Sequence, residues 1–205
     1  MAITFVNETD NWNFSITSLA ATVPASVADH DVLILHAQNS ASHAFDALAG
    51  WTSLGTNTQS TEVSQLWWRL AASEPASYSL TWGGGSSGLT SATMIAYRGA
   101  DITTPIHTSA IAGGTTQTFA APTVTTALQC TIVVGALNDN FGYASGPAGY
   151  TLRSVQAIMW VGDQSAVAAG SISPGNFVST SVATNYFSAY TVALTLPNTP
   201  MVMLV

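Results

Sequence analysis

The segment Val32-Leu33-Ile34-Leu35-His36-Ala37-Gln38-Asn39 decides the fold of this chain, because a similar segment, Ile132 to Asp139, recurs in its second half. Each segment is followed by a polar loop and a glycine-aromatic-threonine turn, Gly50-Trp51-Thr52 and Gly149-Tyr150-Thr151. Each half then runs through a strand that carries tryptophan and ends on an apolar strand that carries tyrosine. A repeat of this length predicts two similar blocks of strands.

The pattern predicts an all-β protein, an antiparallel, jelly-roll-like β-sandwich of about ten to twelve strands. Its two pseudo-repeated blocks are residues 31–99 and 131–196. Glycine and threonine are spread along the chain and no region has helical periodicity, which argues against helices. A length of 205 residues favours one sandwich domain, residues 1–205, over one domain for each half.

Periodicity within the first block indicates individual strands. We expect two short strands at the start of the chain, Ile3 to Val6 and Trp12 to Ile16. Asp31 to Ala37 is almost wholly apolar, as in a strand buried on both faces. Tyr78 to Trp82 alternates, so Tyr78, Leu80 and Trp82 are expected to share one face.

Charge is scarce and one-sided. Charged residues make up 6% of the chain, there is no lysine, and the net charge is −7. The cations are Arg69, Arg98 and Arg153, and we expect Arg98 to pair with Asp101 or to bridge to another subunit. Proteins that bind nucleic acids or anionic lipids neutralise phosphates with basic patches. We therefore expect no nucleic acid and no membrane among the partners.

Compartment signals are few. Cys130 is the single cysteine, so no intrachain disulfide can form, and it is expected to be a small buried side chain. The start of the chain, Met1 to Glu8, has neither a basic segment nor a long apolar run, so we expect no signal peptide. Synthesis in a cytoplasm is the expectation.

No constellation predicts catalysis or a bound ion. His43 and Asp46 share a loop, which is a weak basis for a metal site. Glu62 and Glu74 flank the tryptophan strand, but two carboxylates on a sandwich do not by themselves indicate a glycosidase. The glycine-rich segment 83–88 has no lysine to hold phosphate. We expect no enzyme activity, no cofactor and no metal.

The six tryptophans suggest a carbohydrate-binding surface, although core packing is the favoured interpretation for most of them. Trp67 and Trp68 must point to opposite faces of their strand. Trp51 and Tyr150 begin matched strands and are expected to be largely buried. The possible ligand-facing aromatics are Trp12 and Trp82.

The last residues of the chain are apolar, which is unusual for a terminus. The segment consists of Met201, Val202, Met203, Leu204 and Val205 and follows Pro200. It represents several kcal/mol of apolar surface if left in water, at about 25 cal/mol per Å². We expect either a last strand of the sheet or, more specifically, a contact with a neighbouring subunit.

The run Ala92 to Asp101, continuing to Thr104-Pro105-Ile106, resembles a recurring segment of tailed-bacteriophage virion proteins with a β-sandwich fold. Ala49-Gly50-Trp51-Thr52, Ala71 to Pro75 and Pro122 to Thr126 resemble the same family. The resemblance spans about residues 25–196. It implies head decoration (cement) or a neck or tail accessory subunit, and it transfers no catalytic motif.

These expectations combine into one function and its alternatives. The expected function is a capsid cement or decoration protein, located in the virion, that assembles as a trimer or other homo-oligomer and binds the major capsid protein or another virion protein. The alternatives are a tail or neck accessory subunit and a carbohydrate-binding, lectin-like adhesin. A glycoside-cleaving enzyme is the third possibility.

Overall fold

The computed structural model describes residues 2–138, 142–156, 158–180 and 186–197. All regular structure within these ranges is β, and every ladder is antiparallel, which confirms the predicted fold class. The ranges contain no helix, and therefore no helix long and apolar enough to cross a membrane.

The first half of the chain forms one large sheet and one small sheet. Its strands are β1 (Thr4–Phe14), β2 (Ser18–Thr22), β3 (Val32–Asn39), β4 (Thr52–Gln59), β5 (Glu62–Leu70), β6 (Ser77–Thr81) and β7 (Leu89–Arg98). Sheet one has five strands in the order β1-β7-β3-β5-β4. Strands β2 and β6 pair separately as a two-stranded sheet.

The second half also forms a five-stranded sheet. Its strands are β8 (Ile106–Thr115), β9 (Thr118–Ala120), β10 (Val124–Thr126), β11 (Cys130–Asn138), β12 (Tyr143–Ser145), β13 (Thr151–Gln156), β14 (Met159–Val167), β15 (Gly170–Ile172), β16 (Asn176–Ser179) and β17 (Tyr186–Thr195). Sheet two has the order β8-β17-β11-β14-β13. The small sheets are β10-β15 and β9-β16-β12.

The two large sheets pack face to face around an inner core. Ile34 and Ile95 of sheet one lie in the same buried cluster as Val133 and Val192 of sheet two. The central strands β3, β7, β11 and β17 are buried along almost their whole length. Burial on both faces explains their nearly continuous apolar sequences, and it confirms the expectation for the first of them.

The small sheets cover the outer faces of the large ones. Leu33 and Leu35 of β3 point away from the inner core and pack with Leu19 of β2 and Leu80 of β6. On the far side of sheet two, Ile132 of β11 shares a cluster with residues of the small sheets, including Phe177 of β16. The sandwich therefore has four layers with three apolar interfaces between them.

Strand order is the same in the two large sheets when strands are matched in chain order. The register of the repeat differs by one residue from the sequence comparison. Ile34 faces the inner core, whereas Val134 faces outward, so the inward partner of Ile34 is Val133. One residue of shift exchanges the two faces of a strand. Superposition of residues 31–99 on 131–196 stays a prediction.

Two strand predictions need correction, and a third is not confirmed. The start of the chain forms one continuous strand with a bulge between Phe5 and Asn7, not two short strands. The described residues form seventeen strands, more than expected, because short strands build the outer layers. The jelly-roll detail is not confirmed, since each large sheet takes all of its strands from one half of the chain.

A buried carboxylate joins the two large sheets. Asp163 of β14 is 2% exposed and accepts a hydrogen bond of 2.8 Å from the hydroxyl of Tyr97 on β7. It also pairs with Arg153 of β13, whose Nε and Nη2 donate at 2.7 and 2.9 Å. Burial and the charge of Asp163 both raise the pKa of Tyr97 well above its usual value, so the phenol stays a hydrogen-bond donor.

A second polar contact lies deeper in the inner core. Ser188 of β17 makes hydrogen bonds to His36 of β3 at 2.9 Å and to Ser64 of β5 at 2.6 Å. Burial lowers the pKa of His36 to about 3, so the imidazole is neutral at physiological pH. Its ring packs edge-on to Tyr190 at 5.1 Å. Gly135 leaves room for that phenol, because a Cβ there would meet the Tyr190 oxygen at 2.6 Å.

Replacing Arg153 with methionine should lower the free energy of unfolding by about 3 kcal/mol, because the buried Asp163 carboxylate loses its partner. Urea or thermal unfolding of the variant at neutral pH measures the loss. The double variant R153M/D163N also removes the charge of the Asp163 carboxylate and should recover most of the lost free energy of unfolding. A loss below about 1 kcal/mol for R153M would mean that Asp163 is solvated rather than dependent on the pair.

Candidate functional site

A polar cleft lies between β1 and β13, which are outer strands of the two facing sheets. Its cavity has a volume of about 310 Å³ and is lined by Glu8, Thr9, Asp10, Trp12 and Gln156. All of these residues except Gln156 come from β1, so one strand determines the chemistry of the cleft.

The alternation of β1 places its functional side chains on one face. Glu8, Asp10 and Trp12 stand at every second position, so they share the face of the strand that looks toward sheet two. Asp10 is paired in the ladder with Thr93 of β7. Across the cleft, the hydroxyl of Ser154 on β13 donates a long hydrogen bond of 3.5 Å to Oδ2 of Asp10.

The two carboxyl groups of the cleft interact directly. Burial, the charge of Glu8 and a hydrogen bond with Glu8 raise the pKa of Asp10 to about 7, against weaker opposing hydrogen bonds from Thr93 and Ser154. Oδ1 of Asp10 and Oε2 of Glu8 are both buried, and neither has a hydrogen-bond donor among the described residues. One proton shared between the two carboxyl groups satisfies both oxygens, since a carboxylate accepts and a carboxylic acid donates.

Trp12 stands at the mouth of this cleft. Its side chain is 48% exposed, a large fraction for an indole. The ring lies edge-on to Phe14 at 5.8 Å with an interplanar angle of 82°. This contact holds the indole in place while much of its surface remains open to solvent.

The spacing of the Glu8 and Asp10 carboxyl groups differs from that of a glycosidase. Glycosidase carboxyls stand about 5–9.5 Å apart so that the sugar or a water fits between them. Glu8 and Asp10 instead lie within hydrogen-bonding reach of each other. Within the described ranges, no group of three or more histidine, cysteine or acidic side chains is close enough to hold a metal ion.

A second cavity, about 370 Å³ in volume, opens on the outer face of sheet two. Tyr143, Tyr150 and Trp160 contribute aromatic rings to its lining. Leu152 and Val155 of β13 stand at its rim and are 49% and 46% exposed. This cavity is more apolar than the cleft, because the described residues of its walls include no ionisable acid or base other than the tyrosines.

The two aromatics expected to face a ligand have different surroundings. Trp12 is exposed as expected, and its role toward a ligand stays a prediction. The expected exposure of Trp82 is wrong, since its side chain is 6% exposed. The face that Trp82 shares with Leu80 is covered by sheet one, and its ring meets Phe45 at 5.7 Å. Its indole nitrogen donates to the Gly85 carbonyl at 3.1 Å.

The other tryptophans follow the predicted packing in part. Trp67 is buried in the outer core, and Trp68 packs against the inner core, so the two point to opposite faces as expected. Trp51 and Tyr150 are partly rather than largely buried. Trp51 lies at the edge of the outer core, where its ring contacts Tyr78 and the guanidinium of Arg69.

The acidic and metal candidates from the sequence do not converge. Glu74 forms an ion pair of 3.2 Å with Arg69 of β5. Glu62 lies at the start of β5 and accepts a hydrogen bond from the side chain of Gln38. Glu62 and Arg69 are therefore roughly 23 Å apart along an extended strand. Asp46 accepts from Thr81 at 2.7 Å. Cys130 is buried, as expected.

Arg98 has a different partner from those proposed. It pairs with the buried carboxylate of Asp31 at 2.7 Å, while Asp101 accepts hydrogen bonds from the amides of Thr103 and Thr104. The terminal segment Met201, Val202, Met203, Leu204 and Val205 lies outside the described residues.

Sequence reasoning missed Glu8, Asp10 and Gln156. Glu8, Asp10 and Trp12 stand at every second position, which is the sequence signal for a shared strand face. The two short strands predicted for this region leave Glu8 and Asp10 outside any strand. Gln156 has no comparable signal, because its place opposite β1 depends on how the sheets pack.

Comparison with known proteins does not assign the site. No protein-family model matches the chain, and no curated protein or solved structure is significantly similar to it. The chemistry of the cleft therefore has to be argued from its own residues.

Replacing Asp10 with asparagine should make the chain relatively more stable as the pH rises. In the native protein the folded state keeps the Asp10 proton up to about pH 7, whereas the unfolded chain releases it near pH 4. Stability therefore falls between about pH 4 and 7 and is level above that. D10N lacks this loss of stability. Its free energy of unfolding relative to that of the native chain should therefore increase by about 1–2 kcal/mol between pH 4 and 7, after allowance for screening.

Chemical unfolding of both proteins at pH 4.5 and pH 8 measures the difference. Asp46→Asn is the matched control, since it removes an exposed aspartate outside the cleft. If the free energies of unfolding of D10N and of the native chain change equally between the two pH values, the shared proton is contradicted.

Proposed function

We propose that this chain is a structural, non-enzymatic bacteriophage virion protein, a capsid cement or decoration subunit that assembles with copies of itself on the head surface. Its partners in this proposal are the major capsid protein or other virion proteins. The resemblance of residues 25–196 to phage virion sandwiches motivates it, and the distribution of charge supports it.

The observation that carries the proposal is that every arginine is bonded within the chain. Arg69 pairs with Glu74, Arg98 with Asp31 and Arg153 with Asp163. Since the sequence has no lysine, these pairs leave no unpaired lysine or arginine on the surface. Such a surface does not favour polyanions. Charged residues make up only 6% of the chain, so its polarity comes mainly from uncharged side chains, which suit close contact with other subunits.

Exposed apolar side chains provide contact area for such an assembly. Leu128 is 54% exposed, and Leu152 and Val155 stand at the rim of the aromatic cavity of sheet two. Single exposed apolar residues are normal, but a rim of them around a concave surface suits a protein contact. Cement subunits hold a shell through many such contacts acting together.

Deletion of residues 201–205 should weaken self-association or attachment to particles and leave the fold intact. The physical reason is that the apolar run Met201 to Val205 gains free energy by packing on a second surface. Light scattering after size-exclusion chromatography measures the oligomer, and quantitation of copies per purified particle measures attachment.

A chain of full length with serine at residues 201–205 is the matched control, because it keeps the length and removes the apolar surface. It should behave like the deletion. If both variants assemble like the native chain, the interface lies elsewhere. If purified particles contain no copies of the native chain, the virion proposal itself is wrong. If each particle contains only a few copies, the chain is a tail or neck subunit rather than a head decoration protein.

A further inference from the structure

We propose that the cleft between β1 and β13 binds a neutral saccharide, with one sugar ring stacked on the exposed face of Trp12 and its hydroxyls bonded to the carboxyl pair and the Gln156 amide. The inference concerns the isolated chain and does not depend on assembly into a particle.

The half-exposed ring of Trp12 provides an aromatic surface on which a sugar can stack. A half-exposed indole costs free energy in water, and the C–H face of a pyranose covers such a surface without requiring charge. The edge-on contact with Phe14 orients the Trp12 ring before a ligand arrives. An already ordered ring loses little conformational entropy on binding.

A set of polar groups lies beside this aromatic surface. The side-chain amide of Gln156 on the opposite wall is exposed, and it offers both a donor and an acceptor. The proton of the Glu8–Asp10 pair is held between the two carboxyl groups, so the pair offers hydrogen-bond acceptors to a ligand. Hydroxyl groups, which also donate and accept, are the ligand groups that match such a mixed lining.

The charge of the cleft restricts the ligand. The described residues of its lining include no cation, and Arg153 on the same strand as Gln156 is held by Asp163. An anionic sugar, such as a uronate or a sialylated glycan, would meet the carboxyl pair with no compensating charge. The cleft therefore selects against anionic saccharides.

A cationic ligand is the competing occupant, since aromatic rings and carboxylates together also bind ammonium groups. One observation favours the sugar. Among the described residues, Trp12 is the one aromatic side chain that lines the cleft, whereas an ammonium cage uses several.

The cavity size sets the scale of the ligand. About 310 Å³ is at the small end of ligand sites in proteins. One or two sugar rings fill that volume, and further rings of an oligosaccharide extend into solvent. Weak binding per site is the expectation, so a multivalent assembly would strengthen it.

Titration of the purified chain with cellohexaose, maltohexaose, chitohexaose and mannohexaose, followed by saturation-transfer NMR and calorimetry, tests the proposal. At least one neutral oligosaccharide should bind, and Trp12→Ala should weaken that binding tenfold or more. Trp12→Tyr should retain part of it, and Gln156→Ala should weaken it severalfold. Ile102→Ala truncates an equally exposed apolar residue outside the cleft and should have no effect.

Other outcomes would overturn the proposal. These are the absence of binding by all four oligosaccharides, binding that W12A does not reduce, and equal or tighter binding of an oligogalacturonate. Trp12-dependent binding of tetramethylammonium without sugar binding would assign the cleft to cations instead. Circular dichroism and thermal unfolding of W12A confirm that the fold is retained. A negative result here leaves the particle experiments unaffected, so the two proposals fail separately.

Discussion

The structure depends on the need to cover both faces of two large sheets. Ile34 and Leu35 are neighbours in β3, and both are buried, one against sheet two and the other against the β2–β6 layer. An open five-stranded sheet with two apolar faces cannot remain in water, because each face carries tens of kcal/mol of apolar surface at about 25 cal/mol per Å². The inner sandwich covers one face of each sheet. The short outer strands exist to cover the other.

The inner core is not uniformly apolar, and its polar groups decide how the sheets are aligned. Ser188 accepts a hydrogen bond from Ser64 and makes another with His36 across the gap between the sheets. Asp163 accepts one from the hydroxyl of Tyr97. Apolar packing alone tolerates sliding of one sheet over the other, whereas these hydrogen bonds have strict distances and leave costly buried groups if they break. Such contacts contribute alignment more than net stability.

Much of this fold could be predicted from the sequence, since β-strand periodicity and the repeat depend on local residue order. The inner strand around Ile34, the opposite faces of Trp67 and Trp68 and the absence of helices in the described ranges are examples. The predictions that failed concern contacts between residues that are far apart in the sequence. Trp82 is buried because Phe45 folds over it. The period of two places Glu8 and Asp10 on one face of β1, but the position of β13 opposite them, where Ser154 bonds to Asp10, depends on how the sheets pack.

The pairing of all three arginines has a consequence for proteolysis. Trypsin cleaves after lysine and arginine, so this lysine-free chain offers it three sites, and each lies in a strand: β5, β7 or β13. A protease needs an extended, unpaired segment in its active site, which requires that the strand leave its sheet and that the ion pair break. The rate of tryptic digestion at each arginine therefore reports how often that strand opens, with β13, an outer strand beside the cleft, as the most accessible of the three to local opening.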